Sequence, residues 1–174
     1  MNFFVTKIIF SPNQSHGLPN LYPIVLWVEK NMHMKAIAYN INTKEKEWLI
    51  LANYKKHDIT VIANSLTLDT LNFAAGKEAL IVFNNDLIDA PLIEGLKAVG
   101  IKYIASSTFG YDHIDLEAAK SAGLKIANIP FKHGGALENM HQVIANLDNW
   151  SAGKCVGDAC CCQRDCAIKV EAHK

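Results

Sequence analysis

Five cysteines fall within twelve residues, Cys155-Val-Gly-Asp-Ala-Cys160-Cys161-Cys162-Gln-Arg-Asp-Cys166, and the 174-residue chain has no others. Such clustering in a thiol-keeping compartment points to metal or redox chemistry rather than to structural disulfides. A soft ion takes three or four thiolates at about 2.3 Å. In an extended run adjacent side chains point to opposite sides, so Cys160 and Cys162 are expected to face one ion while Cys161 faces away. Cys155, brought round by Gly157, and Cys166 would complete four sulfur ligands. Zinc or an iron–sulfur cluster suits that donor set, and Cu(I) is a third soft candidate. Thiol–disulfide cycling and an inert tail compete with this reading, because the spacing matches no standard ribbon or ferredoxin motif.

A second stretch with chemical potential is the polar turn Ser106-Ser-Thr-Phe-Gly110-Tyr-Asp112, set between an apolar run and a short helical pattern. His113, beside Asp112 and Asp115, is a candidate general base; the plainer expectation is a solvent-facing residue at a helix start. His133 and His141 lie further on, with no partner group marked by spacing. Asn84-Asn85-Asp86 either lines the same cleft or is a polar turn into the next helix.

The elements that would position these residues follow a regular alternation. Strands are expected at Lys35–Tyr39, Ile59–Ala63, Ala79–Phe83, Ile101–Ala105 and Leu124–Ile129, the last closed by Pro130. Helices fall between them. One runs from about Lys44 to Lys56 with Trp48, Leu49, Leu51 and Ala52 on its core side. The next, about Leu68 to Ala75, presents Leu68, Leu71 and Ala75. A third starts near Asp89, carries Pro91 in its first turn, shows Leu92, Ile93, Leu96 and Val99, and stops at Gly100. A fourth has Asp115 as N-cap and Gly123 as its stop. Continuously apolar strands alternating with helices predict an α/β, flavodoxin-like doubly wound parallel sheet of five strands in order 2-1-3-4-5. Ligands of such sheets sit outside the carboxyl ends of the strands, which directs attention to the turns after Phe83 and Ala105.

From Ala136 the apolar residues Leu137, Met140, Ile144 and Leu147, supported by Val143 and Trp150, form a helical stripe. It is expected to dock on the domain or on a second copy of the chain. The organisation is therefore an extension over 1–33, a main domain over 34–135, an amphipathic helix over 136–152 and a Cys-rich tail over 153–174. Lys+Arg and Asp+Glu are 17 each, which gives no electrostatic case for nucleic acid or an anionic membrane. No apolar run approaches the roughly 20 residues that span a bilayer. The opening MNFFVTKIIFS has a lysine within its apolar run and no cleavage site, so a cytoplasmic location is expected. Residues 1–33 look added to a natural first strand at Met34, either as an upstream start codon would produce or as a segment whose Ile24–Val28 run packs on the domain as an extra strand.

Ile101-Lys-Tyr-Ile-Ala, Gly110-Tyr-Asp-His-Ile-Asp-Leu-Glu-Ala-Ala and Gly123-Leu-Lys-Ile-Ala-Asn-Ile-Pro130 resemble the signature of the D-isomer-specific 2-hydroxyacid dehydrogenases. Ile81-Val-Phe-Asn-Asn-Asp86 and Met34-Lys-Ala-Ile-Ala-Tyr are similar to the D-lactate dehydrogenase branch. The resemblance implies the family's substrate domain over 34–130 and an NAD-dependent oxidoreductase activity on a small 2-hydroxy or 2-keto acid. It also implies that backbone N–H groups at Phe109-Gly110 meet a carboxylate, with Asn84, Asn85 and Ser107 beside them. The chain departs from the family in three respects. Ser107 stands where lactate-type members often have arginine, the sequence has no Gly-x-Gly-x-x-Gly, and the stretch after Pro130 is too short for a nucleotide-binding domain. The expectation is a truncated substrate domain, not competent alone, with no catalytic residue to carry over. The alternative is a non-catalytic carboxylate-binding or dimerisation scaffold with a thiolate site.

Overall fold

The computed structural model describes residues 33–83, 85–131 and 134–161, all within one unit, Asn31–Lys174. Five short strands, β1 (Lys35–Ala38), β2 (Asp58–Val61), β3 (Ala79–Val82), β4 (Tyr103–Ser106) and β5 (Lys125–Ala127), form one parallel sheet. Its order is β2-β1-β3-β4-β5, as the alternating pattern predicts. Between the strands run helices α1 (Thr43–Asn53), α2 (Ala90–Ala98) and α3 (Leu116–Ala122), a 3₁₀ helix at Leu68–Ala74, and then α4 (Ala136–Ser151).

Local chemistry sets the helix ends. Asn42 and Glu45 form a reciprocal capping box at α1, Asp89 accepts from the Leu92 N–H at α2, and Asp115 accepts from the Ala118 N–H at α3. Gly123, at φ 77°, stops α3 in the left-handed conformation that glycine adopts without a Cβ penalty.

The sheet buries two different faces. Ala36, Ala38, Ala79, Ala105 and Ala127 line one, which α1 and α4 cover; Ile37, Tyr39, Leu80, Val82 and Ile104 line the other, beneath α2, α3 and the 3₁₀ helix. The alanine face leaves room for the bulk of α4: Met140, Val143, Ile144, Leu147 and Trp150 are all buried there. Trp150 stacks on Tyr103 with ring centroids 4.9 Å apart. The stripe therefore serves this chain's own core, and pairing two copies through it is ruled out while α4 is docked.

Several expected core positions prove exposed. Leu51 is on the outer side of α1, and the segment after Thr67 winds as a 3₁₀ helix, burying Leu71 and Ala74 while Leu68 and Ala75 face outward. A period of three instead of 3.6 rotates the buried set. Leu137, in the first turn of α4, is 38% exposed. β2 lies at the edge of the sheet, so it is only partly buried rather than covered on both faces. At the other edge the tail returns: Ala127 bridges Cys160 in antiparallel fashion, the Asn128 N–H donates to Ala159 O, and the Cys161 N–H donates to Ile126 O. Unpaired edges invite pairing with other chains, and this one is closed by the chain itself. No helix among the described residues is long and apolar enough to cross a membrane.

Candidate functional site

The turn after β4 is held through its carbonyls. Thr108 O accepts from the Ile129 N–H at 2.9 Å, Phe109 O from the Asn128 side-chain amide, and Gly110 O from the Thr108 hydroxyl at 2.8 Å. Ser107 O accepts a long bond, 3.4 Å, from Asn139 on α4. In a trans, planar peptide the N–H lies opposite the C=O. With the carbonyls of Thr108 and Phe109 turned onto Asn128 and Ile129, just after β5, the N–H groups of Phe109 and Gly110 point away from that segment. Helix α4 buttresses this arrangement: Gln142 donates to Asn146, whose amide reaches Asn128 O.

Gly110 lacks a positive φ, so its conformation does not require glycine. A Cβ there would meet only the Asp112 carboxylate, at 3.4 Å. The space at the glycine's missing side chain is otherwise open. Ser107 is buried, with its own N–H donated to Val82 O, and the Phe109 and Tyr111 side chains stand exposed as a rim. Asn85 lies in the exposed turn after β3; Asn84 is outside the described residues.

The sequence marks Asp86 only as part of the polar Asn84-Asn85-Asp86 stretch, and Asn40 not at all. Strand order reverses between β1 and β3, and that switch point is where such sheets open a crevice. Asn40, at the end of β1, takes φ 51°, a left-handed conformation rare outside glycine that asparagine tolerates. Asp86 is 4% exposed; its carboxylate accepts from the Phe83 N–H at 2.9 Å and from the Asn40 side chain. Burial raises its pKa above the ordinary carboxylate value, against the lowering effect of those bonds. His113 is held alongside, because Ile88 pairs with Ile114: the Ile88 N–H donates to His113 O and the Asp115 N–H to Ile88 O, at 2.8 and 2.9 Å. His113 is partly buried rather than solvent-facing, and its Nε2 is buried with no hydrogen-bond partner. Desolvation lowers its pKa, and the charges of Asp86 and Asp112 pull the other way.

Residues 36–134 match the family model for the catalytic domain of D-isomer specific 2-hydroxyacid dehydrogenases. The chain belongs to the D-isomer-specific 2-hydroxyacid dehydrogenase family. D-lactate dehydrogenase of Escherichia coli is 36% identical over 98 residues, 56% of this chain and 30% of that protein. An aromatic 2-oxoacid reductase of Clostridium sporogenes is 31% identical over 100 residues, with the same coverage. Among solved structures, the apo D-lactate dehydrogenase of E. coli aligns with a TM-score of 0.54 at 35% identity, over 56% of this chain and 31% of that one. A D-isomer specific 2-hydroxyacid dehydrogenase of Lactobacillus delbrueckii, in an NAD-complexed form, shares the fold at 21% identity and a TM-score of 0.51, covering 56% of this chain and 30% of that one. This dehydrogenase-family chain spans about 30% of the length of these curated relatives.

The family's NAD has a specific requirement: a glycine turn that seats the pyrophosphate on a helix N-terminus. Here the first β–α turn is Asn40-Ile41-Asn42, without glycine, and the N-terminus of α1 is occupied by its own cap. The Asn42 side chain takes the Glu45 N–H, and the Glu45 carboxylate takes the Asn42 N–H. These residues do not fit a dinucleotide.

Among the described residues the expected sulfur ligands are not gathered into a metal site. Cys160 packs against the α1/α4 face and Cys161 against the opposite one, the alternation an extended run demands. Cys160 is disulfide-bonded, so its sulfur is not a thiolate here, and Cys155 is exposed. Cys162 and Cys166 lie outside the described residues. Burial pushes the Cys161 thiol up to about 11, which keeps it protonated. Among the described residues no group of three or more His, Cys, Asp or Glu comes together to hold a metal ion.

Proposed function

We propose that this chain supplies the substrate-holding half of an NAD-dependent D-2-hydroxyacid dehydrogenase, D-lactate-dehydrogenase-like, and binds a small 2-hydroxy or 2-keto acid through its carboxylate. What supports the reading is the turn after β4: the carbonyls of Thr108 and Phe109 are engaged by Ile129 and Asn128, which leaves the N–H groups of the same two peptides, Phe109 and Gly110, pointing away from that segment. Oriented backbone N–H groups at a strand end attract anions without a charged side chain. Asn85 would stand at the rim, and Ser107 beneath the turn as its buried support.

Hydride transfer needs a nicotinamide held against the substrate and a group to take or give the hydroxyl proton. In this reading the nicotinamide is held by a nucleotide-binding unit outside residues 34–135, because the turn after β1 does not fit one. The experiment is an amide NMR titration of the 174-residue chain with pyruvate and D-lactate. The Phe109 and Gly110 signals are expected to move in a saturable way, and Gly110→Ala, which adds a methyl to the turn beside the Asp112 carboxylate, should weaken the shifts while the fold persists. A turn that stays silent to both acids would refute acid binding. Turnover of pyruvate with NADH by this polypeptide alone would refute the division of labour.

A further inference from the structure

The two peptides of the turn after β4 are not held alike. Thr108 O takes the main-chain N–H of Ile129, whereas Phe109 O takes the side-chain amide of Asn128. The Phe109–Gly110 peptide adjoins a glycine, whose missing Cβ leaves the main chain freer to turn. The direction of the Gly110 N–H is therefore set by the bond from Asn128. Asn128 is in turn held at both of its own main-chain groups. Its N–H donates to Ala159 O at 2.9 Å, and its C=O accepts from the Asn146 amide on α4 at 3.4 Å. Burial places Ala159 there: Val156 and Ala159, spanning the 3₁₀ turn at Gly157–Ala159, are both sunk in the core that α1 and α4 cover. The Cys161 N–H then fastens the segment to Ile126 O at 3.1 Å.

We propose that Asn128 is a positioning residue of the acid site, and that the start of the Cys-rich tail serves the site by holding Asn128 in place. This deepens, and rests on, the acid-binding reading of the turn. In this role Asn128 acts through the turn rather than on the acid: its side chain anchors Phe109 O and so keeps the Gly110 N–H presented as the second donor of the pair. Tail, strand end and turn form one run of bonds, from Ala159 O to the Asn128 N–H and from the Asn128 amide to Phe109 O. The order is built before the acid arrives, so less of the binding free energy goes into fixing the turn.

The test is amide NMR of the full chain and its variants, first without ligand and then titrated with pyruvate. Asn128→Leu, close in size but without a donor, should displace the Gly110 signal before any acid is added, while signals from the helices stay in place. Its pyruvate affinity should fall by about threefold to tenfold, the worth of one hydrogen bond. Asn128→Gln, which keeps a donor amide, should recover part of that loss; a Gln variant as weak as the Leu one would make Asn128 a packing residue and overturn the proposal. Ala159→Glu puts a charge at a buried position and should lift the tail, moving the Gly110 signal and the affinity in the same direction. A Gly110 signal and an affinity that ignore this change would remove the tail from the site. Parent-like binding and an unmoved Gly110 signal in Asn128→Leu would overturn the positioning role and leave the turn as the acid site. No response to pyruvate in the parent would overturn both.

Discussion

The two ends of the sheet each hold a histidine beside an aspartate, and they are built differently. At the amino end His57 is fully enclosed. Its Nδ1 accepts the Met34 N–H at 3.2 Å, so the proton sits on Nε2, which lies 3.2 Å from Asp148 Oδ1 without good hydrogen-bond alignment. Asn53 brackets the His57 backbone on both sides, and Lys56 shares Asp148 at 2.9 Å. This clasp ties the C-terminal half of α4 to the loop after α1. At the carboxyl end His113 is pinned by its backbone, but its Nε2 faces no protein partner. His57 is tied into the fold through its ring, by the Met34 N–H and the contact with Asp148, whereas His113 is held through its main-chain pairing with Ile88.

The largest way to break the comparison is to undock the helix that the clasp secures. Trp150→Ala removes a buried ring stacked on Tyr103 and should cost about 3–5 kcal/mol in urea unfolding. Replacing His57 by Gln leaves the Met34 N–H and Asp148 imperfectly matched and should cost about 1–3 kcal/mol. A loss under half a kcal/mol would mean the amino-end clasp is ornamental.

The pH dependence sharpens the same contrast. Burial lowers the His57 and His113 pKa values below 6.5 in the folded state. Just below pH 6.5 the unfolded chain therefore binds more protons than the folded one, and stability falls as the pH drops through that window toward the lowered folded values. His57→Gln should remove part of this slope and His113→Gln the rest.

Asp86 acts in the opposite sense. Its folded pKa is raised above 3.8, so the folded state binds more protons between 3.8 and that higher value, and its contribution declines as the pH rises through that window. Asp86→Asn should erase this component in unfolding curves taken from pH 3 upward. The smallest effect is expected for His113→Gln at neutral pH: a change within about 0.5 kcal/mol, since no partner of Nε2 is lost. A loss as large as that of His57→Gln would make both histidines structural and remove the distinction.

Much of the architecture is legible in local pattern because its causes are local. Asp89, Asp115 and Gly123 mark helix ends through bonds and conformations that span three or four residues, and the five apolar runs separated by helices require a parallel order. The turn after β4 is legible as a candidate site for the same reason, since its glycine lies within a short polar break after an apolar strand. Leu51, Leu68, Ala75 and Leu137 were expected inside and lie outside. Which side of a short helix is covered depends on the partner laid against it, and the helix at Leu68–Ala74 winds with a different period.

Composition and alternation by themselves determined the sheet order, the caps and the place of the polar turn at a strand's carboxyl end. The tertiary structure alone decided that the 137–150 stripe fills an alanine-lined face, that Ala159–Cys161 closes the β5 edge, and that Asp86, Asn40 and His113 converge at the β1–β3 switch point. Those residues are 27 to 73 positions apart along the chain. Only the strand crossovers bring them together, and no local periodicity records which strand ends will be neighbours.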